Sequence, residues 1–545
     1  MPRLTIDQRE VEVPQGATIL DAATALGIEI PTLCYFKGYT PSTSCLACLV
    51  KVGGRMVPSC ATQAVDGMEV ESETAEVHQV RRTALELLLS DHVGDCLAPC
   101  HFACPAHMDV PLMLRQIQGE NLREAIATVK NDIALPAVLG RVCPKPCEKG
   151  CRRSGADGAV AICELKRFVA DQDLASGSPY LPDCAPDTGR SVAVVGAGPT
   201  GLAAAYYLRR AGHAVTLYEK EARLGGRLRH EHSAEELPPD VLDAEIATIV
   251  SLGIETRLNS RLGADVTLDE LAARHQAVLI ATGATQKAEV ESWSLKATPR
   301  GIEVDDAFAA SRPGVFAAGN AIRAKGLVVR SVADGKEAAA SIDRFLAAGT
   351  PAAPGKPFSS RIGKLSPDEL TSFVATGSLL PLRQPTSKAD GYTQALAMEQ
   401  AGRCLHCDCR ALSTCRLKRY AEMYGADPNR YKGERAVLIQ NLQHSEVIYE
   451  PGKCINCGLC IEIAAQAREP LGLTFIGRGF DVRVGVPFDR SMQEALGRVA
   501  RQCVEACPTA ALAFRGDSSC RCQCACASEE SKGGRPVHES WAPSS

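Results

Sequence analysis

A multidomain protein of mixed α/β and α+β class, assembled around bound metal and dinucleotide groups, is the fold this sequence predicts. Three observations lead there. The 25 cysteines fall into six groups, most with metal-ligand spacings. A single glycine-rich dinucleotide loop sits between the third and fourth groups. The length of 545 residues leaves room for three or four modules at roughly 150 residues each. A disulfide framework is the other use for so many cysteines. It is disfavoured because no basic-plus-apolar signal segment opens the chain, and a chain this long needs no staples for want of a core. A reduced, cytoplasmic, metal-loaded protein is the expectation. The net charge of -4 gives no reason to expect nucleic acid as a partner. No apolar run approaches the ~18 residues of a membrane span.

Residues 1–78 form the first predicted module. Two short alternating strands, a Pro-Gly break and an amphipathic helix occupy residues 3–30. Cys34, Cys45, Cys48 and Cys60 follow, separated by ten, two and eleven residues. Two thiolates two residues apart grip one iron and the distant pair grips a second, which is the donor set of a [2Fe–2S] cluster. The stretches TSCLACLVKV and PSCAT resemble the N-terminal β-grasp ferredoxin domain of the large iron–sulfur subunits of respiratory complex I, NAD-linked hydrogenases and formate dehydrogenases.

Residues 79–185 are read as a helical domain. In LELLLSDHVGDCLAPCHFACPAHMDVP, His92 precedes Cys96 by three intervening residues, and this start resembles the complex I subunit. The remainder, through GRVCPKPCEKGC, resembles the N-terminal domain of the glutamate synthase small subunit and of dihydropyrimidine dehydrogenase. That resemblance implies two [4Fe–4S] clusters with interleaved ligands. Cys96, Cys100 and Cys151 would hold one, completed by His92, since imidazole replaces thiolate on iron in Rieske centres. Cys104, Cys143 and Cys147 would hold the other. Its fourth ligand is Cys163 in AVAICELKRF, preferred on donor chemistry to its neighbours Glu164 and Lys166.

Residues 186–349 carry the dinucleotide loop. SVAVVGAGPTGLAAAYYLRRAGHAVTLYE reads as strand, tight turn, helix and second strand. Gly196 permits the turn, Gly198 lets the backbone approach a pyrophosphate, and Gly201 lets helix and strand pack. Pro199 opens the helix, whose N-terminus faces phosphate. Glu219 ends the second strand where a carboxylate meets ribose hydroxyls. Gly225, Gly226 and Arg227 in LGGRL, Thr282 and Gly283 in LIATGA, and Gly319 and Asn320 in PGVFAAGNA resemble the FAD motifs of the glutamate synthase small subunit. Asn320 stands where that family has Asp. FAD is therefore expected in a Rossmann-like domain. The family inserts a second nucleotide-binding domain of about a hundred residues between the last two motifs, but here Gly283 and Gly319 are only 36 positions apart. The resemblance thus implies an FAD domain lacking the NAD(P)H insertion.

Residues 350–400 read as a linker with short helical pieces. In 401–430, Cys404, Cys407, Cys409 and Cys415 lie within twelve residues, ready to enclose one [4Fe–4S] cluster, with zinc the alternative. Residues 431–516 resemble a bacterial two-cluster ferredoxin that has lost one cluster. The fourth cysteine of each half serves the other half's cluster. Cys454, Cys457 and Cys460 are thus completed by Cys507, while Ala464, Gly497 and Ala500 replace ligands of the lost site. Residues 517–545 form a Cys-rich tail in which Cys520, Cys522, Cys524 and Cys526 alternate, read either as a soft-metal loop or as a disordered reduced tail.

These readings imply an FAD-dependent iron–sulfur oxidoreductase subunit with one [2Fe–2S] and three or four [4Fe–4S] clusters. Its expected partners are a complex I-like NADH-binding flavoprotein and a terminal redox subunit or ferredoxin. No acid–base or nucleophilic residue is singled out. Two alternatives remain: a self-sufficient NAD(P)H oxidoreductase like the glutamate synthase small subunit, and a mainly structural metal-binding scaffold.

Overall fold

The computed structural model describes residues 1–515 apart from positions 324, 354, 356 and 388. The cysteine tail expected at 517–545 lies outside the described residues. The chain divides into two units, one of residues 1–94 with those from 410 onward, the other of residues 95–409.

The first unit begins with β1 (Arg3–Ile6) and β2 (Arg9–Glu12), which pair antiparallel. Alternation buries Leu4 and Ile6 on one face of β1. Helix α1 (Ile19–Ala25) starts at Thr18, whose side chain and that of Asp21 cap each other's backbone N–H groups. The helix buries Ile19, Leu20, Ala22 and Ala23. Strands β3 (Leu49–Val52), β4 (Arg55–Pro58) and β5 (Glu69–Glu71) complete a five-stranded sheet of order β2-β1-β5-β3-β4, with β1 and β5 parallel. Cys34 and Cys45 fall in the loop between α1 and β3, Cys48 immediately before β3 and Cys60 just after β4. Helix α2 (Ala75–Ser90) follows, capped by Thr74. Its fully buried Arg81 donates from Nε to the Leu49 carbonyl at 2.9 Å and from Nη1 to the Tyr424 hydroxyl at 2.8 Å. The later part of this unit pairs strands Val447–Tyr449 and Leu512–Phe514 antiparallel, with helices Leu459–Gln466 and Ala500–Ala506 packed together.

In the second unit, short helices carry the cysteines. Pro99–Ala103 precedes Cys104, Pro136–Val142 delivers Cys143, Pro146–Lys149 contains Cys147, and Ile162–Ala175 contains Cys163. Proline at the first or second position of the first three starts each helix where its missing N–H costs nothing. The parallel sheet comprises β6 (Ser191–Val195), β7 (Ala214–Tyr218), β8 (Glu255–Arg257), β9 (Ala277–Ile280) and, after the small hairpin β10 (Ala297–Thr298) and β11 (Gly301–Ile302), β12 (Val315–Ala317). Its order is β12-β9-β6-β7-β8, and β6, β9 and β12 are buried almost throughout, as in sheets covered on both faces. Helices Pro199–Arg210 and Val328–Ala348 pack on it. Only helix Lys287–Ser292 and the hairpin lie between β9 and β12 as regular elements among the described residues.

The stretch expected to be a linker carries two capped helices, Pro367–Ala375 behind Ser366 and Gln394–Ala401 behind Thr393. Fully buried Arg403 then anchors it. Its guanidinium donates to the carbonyls of Leu380 at 2.9 Å, Gly158 at 3.1 Å, Asp157 at 3.2 Å and Ala159 at 3.3 Å. Arg153 returns the contact, donating to the Arg403 carbonyl at 2.6 Å.

Candidate cysteine centres and dinucleotide site

Four sets of thiols converge, and one of them differs from the grouping the sequence suggested. Cys34, Cys45, Cys48 and Cys60 are all buried, with the Cys48 and Cys60 sulfurs 3.3 Å apart. Hydrogen bonding to Cys45 and Cys60 holds the Cys34 thiol far below its usual range. Four buried thiols this close together are a donor set suited to a thiolate-held metal group.

Cys104, Cys143, Cys147 and Cys163 form the second set. Cys143 and Cys163 share a hydrogen bond that lowers the Cys163 thiol to about 6 and raises Cys143. The Glu148 carboxylate accepts the Cys163 N–H at 2.9 Å, tying the two helices together. Lys166, one helical turn beyond Cys163, is 4% exposed, and its Nζ lies 3.7 Å from the Cys163 sulfur. Burial opposes its charge, but Cys163, Cys143, Cys147 and Cys104 together outweigh burial and hold the ammonium.

The third set joins cysteines from two groupings that the sequence suggested as separate. Cys100 and Cys151 line a cavity together with Cys404 and Cys407, which has about 360 Å³ of space unfilled by protein atoms, its open mouth included. Val110, Leu114, Val160, Ile162 and Leu405 make its apolar wall. Burial, and then the proximity of Cys404, Cys407 and Cys151, pushes the Cys100 thiol well up. Burial likewise raises Cys404 to about 12. Arg403, pinned to the 157–159 loop, carries Cys404 to this wall. Cys96 is absent from the lining and meets Cys409 instead, whose N–H donates to the Cys96 carbonyl at 3.1 Å. Cys415 falls in the other unit, where its sulfur accepts the Lys418 N–H at the start of helix Arg416–Met423. Cys404 and Cys407 thus share a cavity with Cys100 and Cys151, while Cys409 meets Cys96.

The fourth set agrees with the crossover rule. Cys454, Cys457, Cys460 and Cys507 line one cavity of about 360 Å³, mouth included, with Tyr449, Val484 and Leu512. Burial raises Cys454 to about 11 and Cys457 to about 12. Cys503 is buried beside them, its sulfur 3.7 Å from the Cys460 carbonyl. His92 is half-buried; its Nδ1 is shut off from solvent without a hydrogen-bond partner, and burial lowers the ring to about 4.

The donor chemistry fits iron–sulfur groups. Four thiolates in each set are the donor complement of a [2Fe–2S] or [4Fe–4S] centre. Among the described residues, no three His, Cys, Asp or Glu side chains close on the point of a lone metal ion. In the third and fourth sets the sulfurs stand around a hollow instead.

The dinucleotide loop is equally specific. A Cβ on Gly201 would lie 1.8 Å from the Gly196 carbonyl oxygen, so helix Pro199–Arg210 closes on the loop only with glycine there. A Cβ on Gly198 would meet no protein atom within 4 Å. Packing does not demand glycine at Gly198, and the open space is where a pyrophosphate approaches the backbone. Glu219 is buried and accepts the N–H of Ala197 at 2.8 Å and of Glu221 at 3.0 Å. It braces the loop and keeps lone pairs for ribose. Gly225 donates its N–H to the Ala197 carbonyl at 2.9 Å, and Gly226 packs on Gly198. Arg227 is spent on an exposed pair with Glu231. Thr282 Oγ1, Thr285 Oγ1 and Asn320 Oδ1 are shut off from solvent with no hydrogen-bond partner. Orphaned polar atoms at the FAD motifs fit a flavin nucleotide that supplies the missing partners.

Family models match three regions of the chain. Residues 2–75 match the family model for a 2Fe-2S iron–sulfur cluster binding domain. Residues 75–178 match that for dihydropyrimidine dehydrogenase domain II, 4Fe-4S cluster, and residues 157–335 that for pyridine nucleotide-disulphide oxidoreductase. The domains are those of an FAD-dependent iron–sulfur oxidoreductase. Over 207 residues the chain is 41% identical to the NADP(+)-dependent formate dehydrogenase subunit beta of Moorella thermoacetica, covering 34% of this chain and 29% of that one. Over 203 residues it is 42% identical to the NAD-dependent dihydropyrimidine dehydrogenase subunit PreT of Escherichia coli O157:H7, covering 36% and 49%. The matches thus span about half or less of these curated relatives. A solved NAD+-reducing [NiFe]-hydrogenase chain aligns over 95% of this chain and 90% of its own, at 12% identity and a TM-score of 0.33.

Proposed function

We propose that this chain is the iron–sulfur flavoprotein subunit of a larger redox complex. It relays electrons between an NADH-oxidising, complex I-like partner and a terminal acceptor, dehydrogenase or hydrogenase. The observation that carries the reading is four converging sets of thiols in a chain with one dinucleotide fold. A bound flavin supplies two-electron chemistry, and iron–sulfur centres pass electrons singly. Cys34, Cys45, Cys48 and Cys60 hold a [2Fe–2S] cluster on a β-grasp frame, which the mixed sheet and α1 support. Three [4Fe–4S] clusters take the sets Cys100/Cys151/Cys404/Cys407, Cys104/Cys143/Cys147/Cys163 and Cys454/Cys457/Cys460/Cys507. Gly196, Gly198, Gly201, Glu219, Thr282 and Asn320 hold FAD.

The short β9–β12 connection supports an external source for the flavin's electrons, because it leaves no room for a second nucleotide-binding fold. The pyridine nucleotide-linked names of the relatives favour the second reading, in which NAD(P)H reduces this chain directly. Anaerobic titration of the purified chain decides. Dithionite should bleach the flavin, whereas NADH or NADPH alone should leave it oxidised until the NADH-oxidising partner is added. Bleaching by either nucleotide alone overturns the partner-dependent reading in favour of the self-sufficient one. A colourless preparation without iron or sulfide would leave only the structural scaffold.

A further inference from the structure

Lys166 is a buried ammonium with an unusual complement of neighbours. It lies on helix Ile162–Ala175, one turn from Cys163, and is 4% exposed. The nearby carboxylates bond to other groups, and Glu148 acts on Lys166 only through space. Glu148 accepts the Cys163 N–H, Glu164 takes Lys145 at 3.2 Å, and Asp171 is shared by Arg141 and Arg167. Among the described residues Lys166 forms no ion pair, and its hydrogen bond goes to the Cys163 sulfur. A buried ammonium with no carboxylate hydrogen-bonded to it is costly, and an uncharged side chain of similar size would avoid that cost. Four thiolates around an inorganic core would supply most of the compensating negative charge. Reduction adds one further negative charge to such a centre, so a cation fixed beside it favours the reduced form.

We propose that Lys166 is a fixed counter-cation that raises the reduction potential of the iron–sulfur centre held by Cys104, Cys143, Cys147 and Cys163. The proposal rests on the ligand set assigned above. The charge belongs to the helix that carries one of the ligands, so its distance from the centre is set by a single turn of backbone. Exchange with solvent is closed off, and neither salt nor surface charge competes with it strongly.

The test is an anaerobic potentiometric titration of the full chain followed by electron paramagnetic resonance, with iron and acid-labile sulfide measured on the same samples. Lys166→Met should retain its iron. At the wild-type midpoint its ratio of reduced to oxidised centre should fall at least tenfold, a shift of about 59 mV to the negative for a one-electron couple. Lys166→Arg, which keeps the charge, should stay near the wild-type value. An unmoved midpoint in a fully loaded Lys166→Met chain overturns the proposal. So does loss of iron in Lys166→Met that Lys166→Arg fails to restore, because Lys166 is then needed for its shape. A Cys104→Ser chain that keeps all its iron would overturn the ligand set itself, separately from any result at Lys166.

Discussion

Gly198 shows how little a single side chain has to do to make a binding site. Nothing in the protein opposes a Cβ there, so Gly198→Val should fold as the parent does and lose flavin. The expected outcome is an unchanged circular dichroism spectrum with at least a tenfold fall in the flavin-to-protein ratio after gel filtration. At this scale much of the site was legible in the sequence. Glycines with a strand before them and a helix after them declare their ligand, and the ferredoxin repeat declares Cys507 as the partner of Cys454, Cys457 and Cys460. The destination of Cys404 and Cys407 was not legible. Four cysteines within twelve residues look self-sufficient, and only the buried side chain of Arg403, which spends its donors on distant carbonyls, reveals that this loop belongs to a wall made by residues 100–160. A sign was nonetheless present: the set of Cys96, Cys100 and Cys151 was one thiolate short.

Helices here are placed by buried charge as much as by apolar packing. Glu245, on helix Pro239–Val250, is 3% exposed and accepts the N–H groups of Ala137 at 2.6 Å and Val138 at 2.8 Å. It caps the free donors of helix Pro136–Val142, which ends at Cys143. Burial raises its carboxyl to about 7. The folded protein therefore holds this proton up to a higher pH than the unfolded chain, whose glutamate releases it near 4.3. Between those values the native state binds more protons, and stability falls as pH rises from about 4.5 to 7. Glu245→Gln should flatten that part of the profile, as read from urea midpoints across the range, while lowering stability at pH 5 through the weaker cap. The strand pattern and the glycine-loop helix could be read from periodicity. The helices around residues 367 and 394 were visible only as fragments, because their packing partners lie more than two hundred residues earlier in the chain.

At the scale of the whole molecule, the chain leaves its first unit near residue 94 and returns to it near residue 410. The sequence suggested modules laid end to end, since each motif resembles a different family and adjacency in the chain reads as adjacency in space. The cavity shared by Cys100, Cys151, Cys404 and Cys407 makes the difference measurable. Cys151→Ser and Cys404→Ser should each lose about four iron atoms, and the double variant should lose no more than either alone. Additive loss would separate the two cysteines into different centres. There is a consequence for biosynthesis. A ribosome releases Cys100 and Cys151 long before Cys404 and Cys407 emerge, so this socket stays half-built through almost half of translation. On the proposed ligand set, metal delivery to it would wait for the late segment, and a prematurely terminated product would display two bare thiols to any oxidant or stray ion in reach.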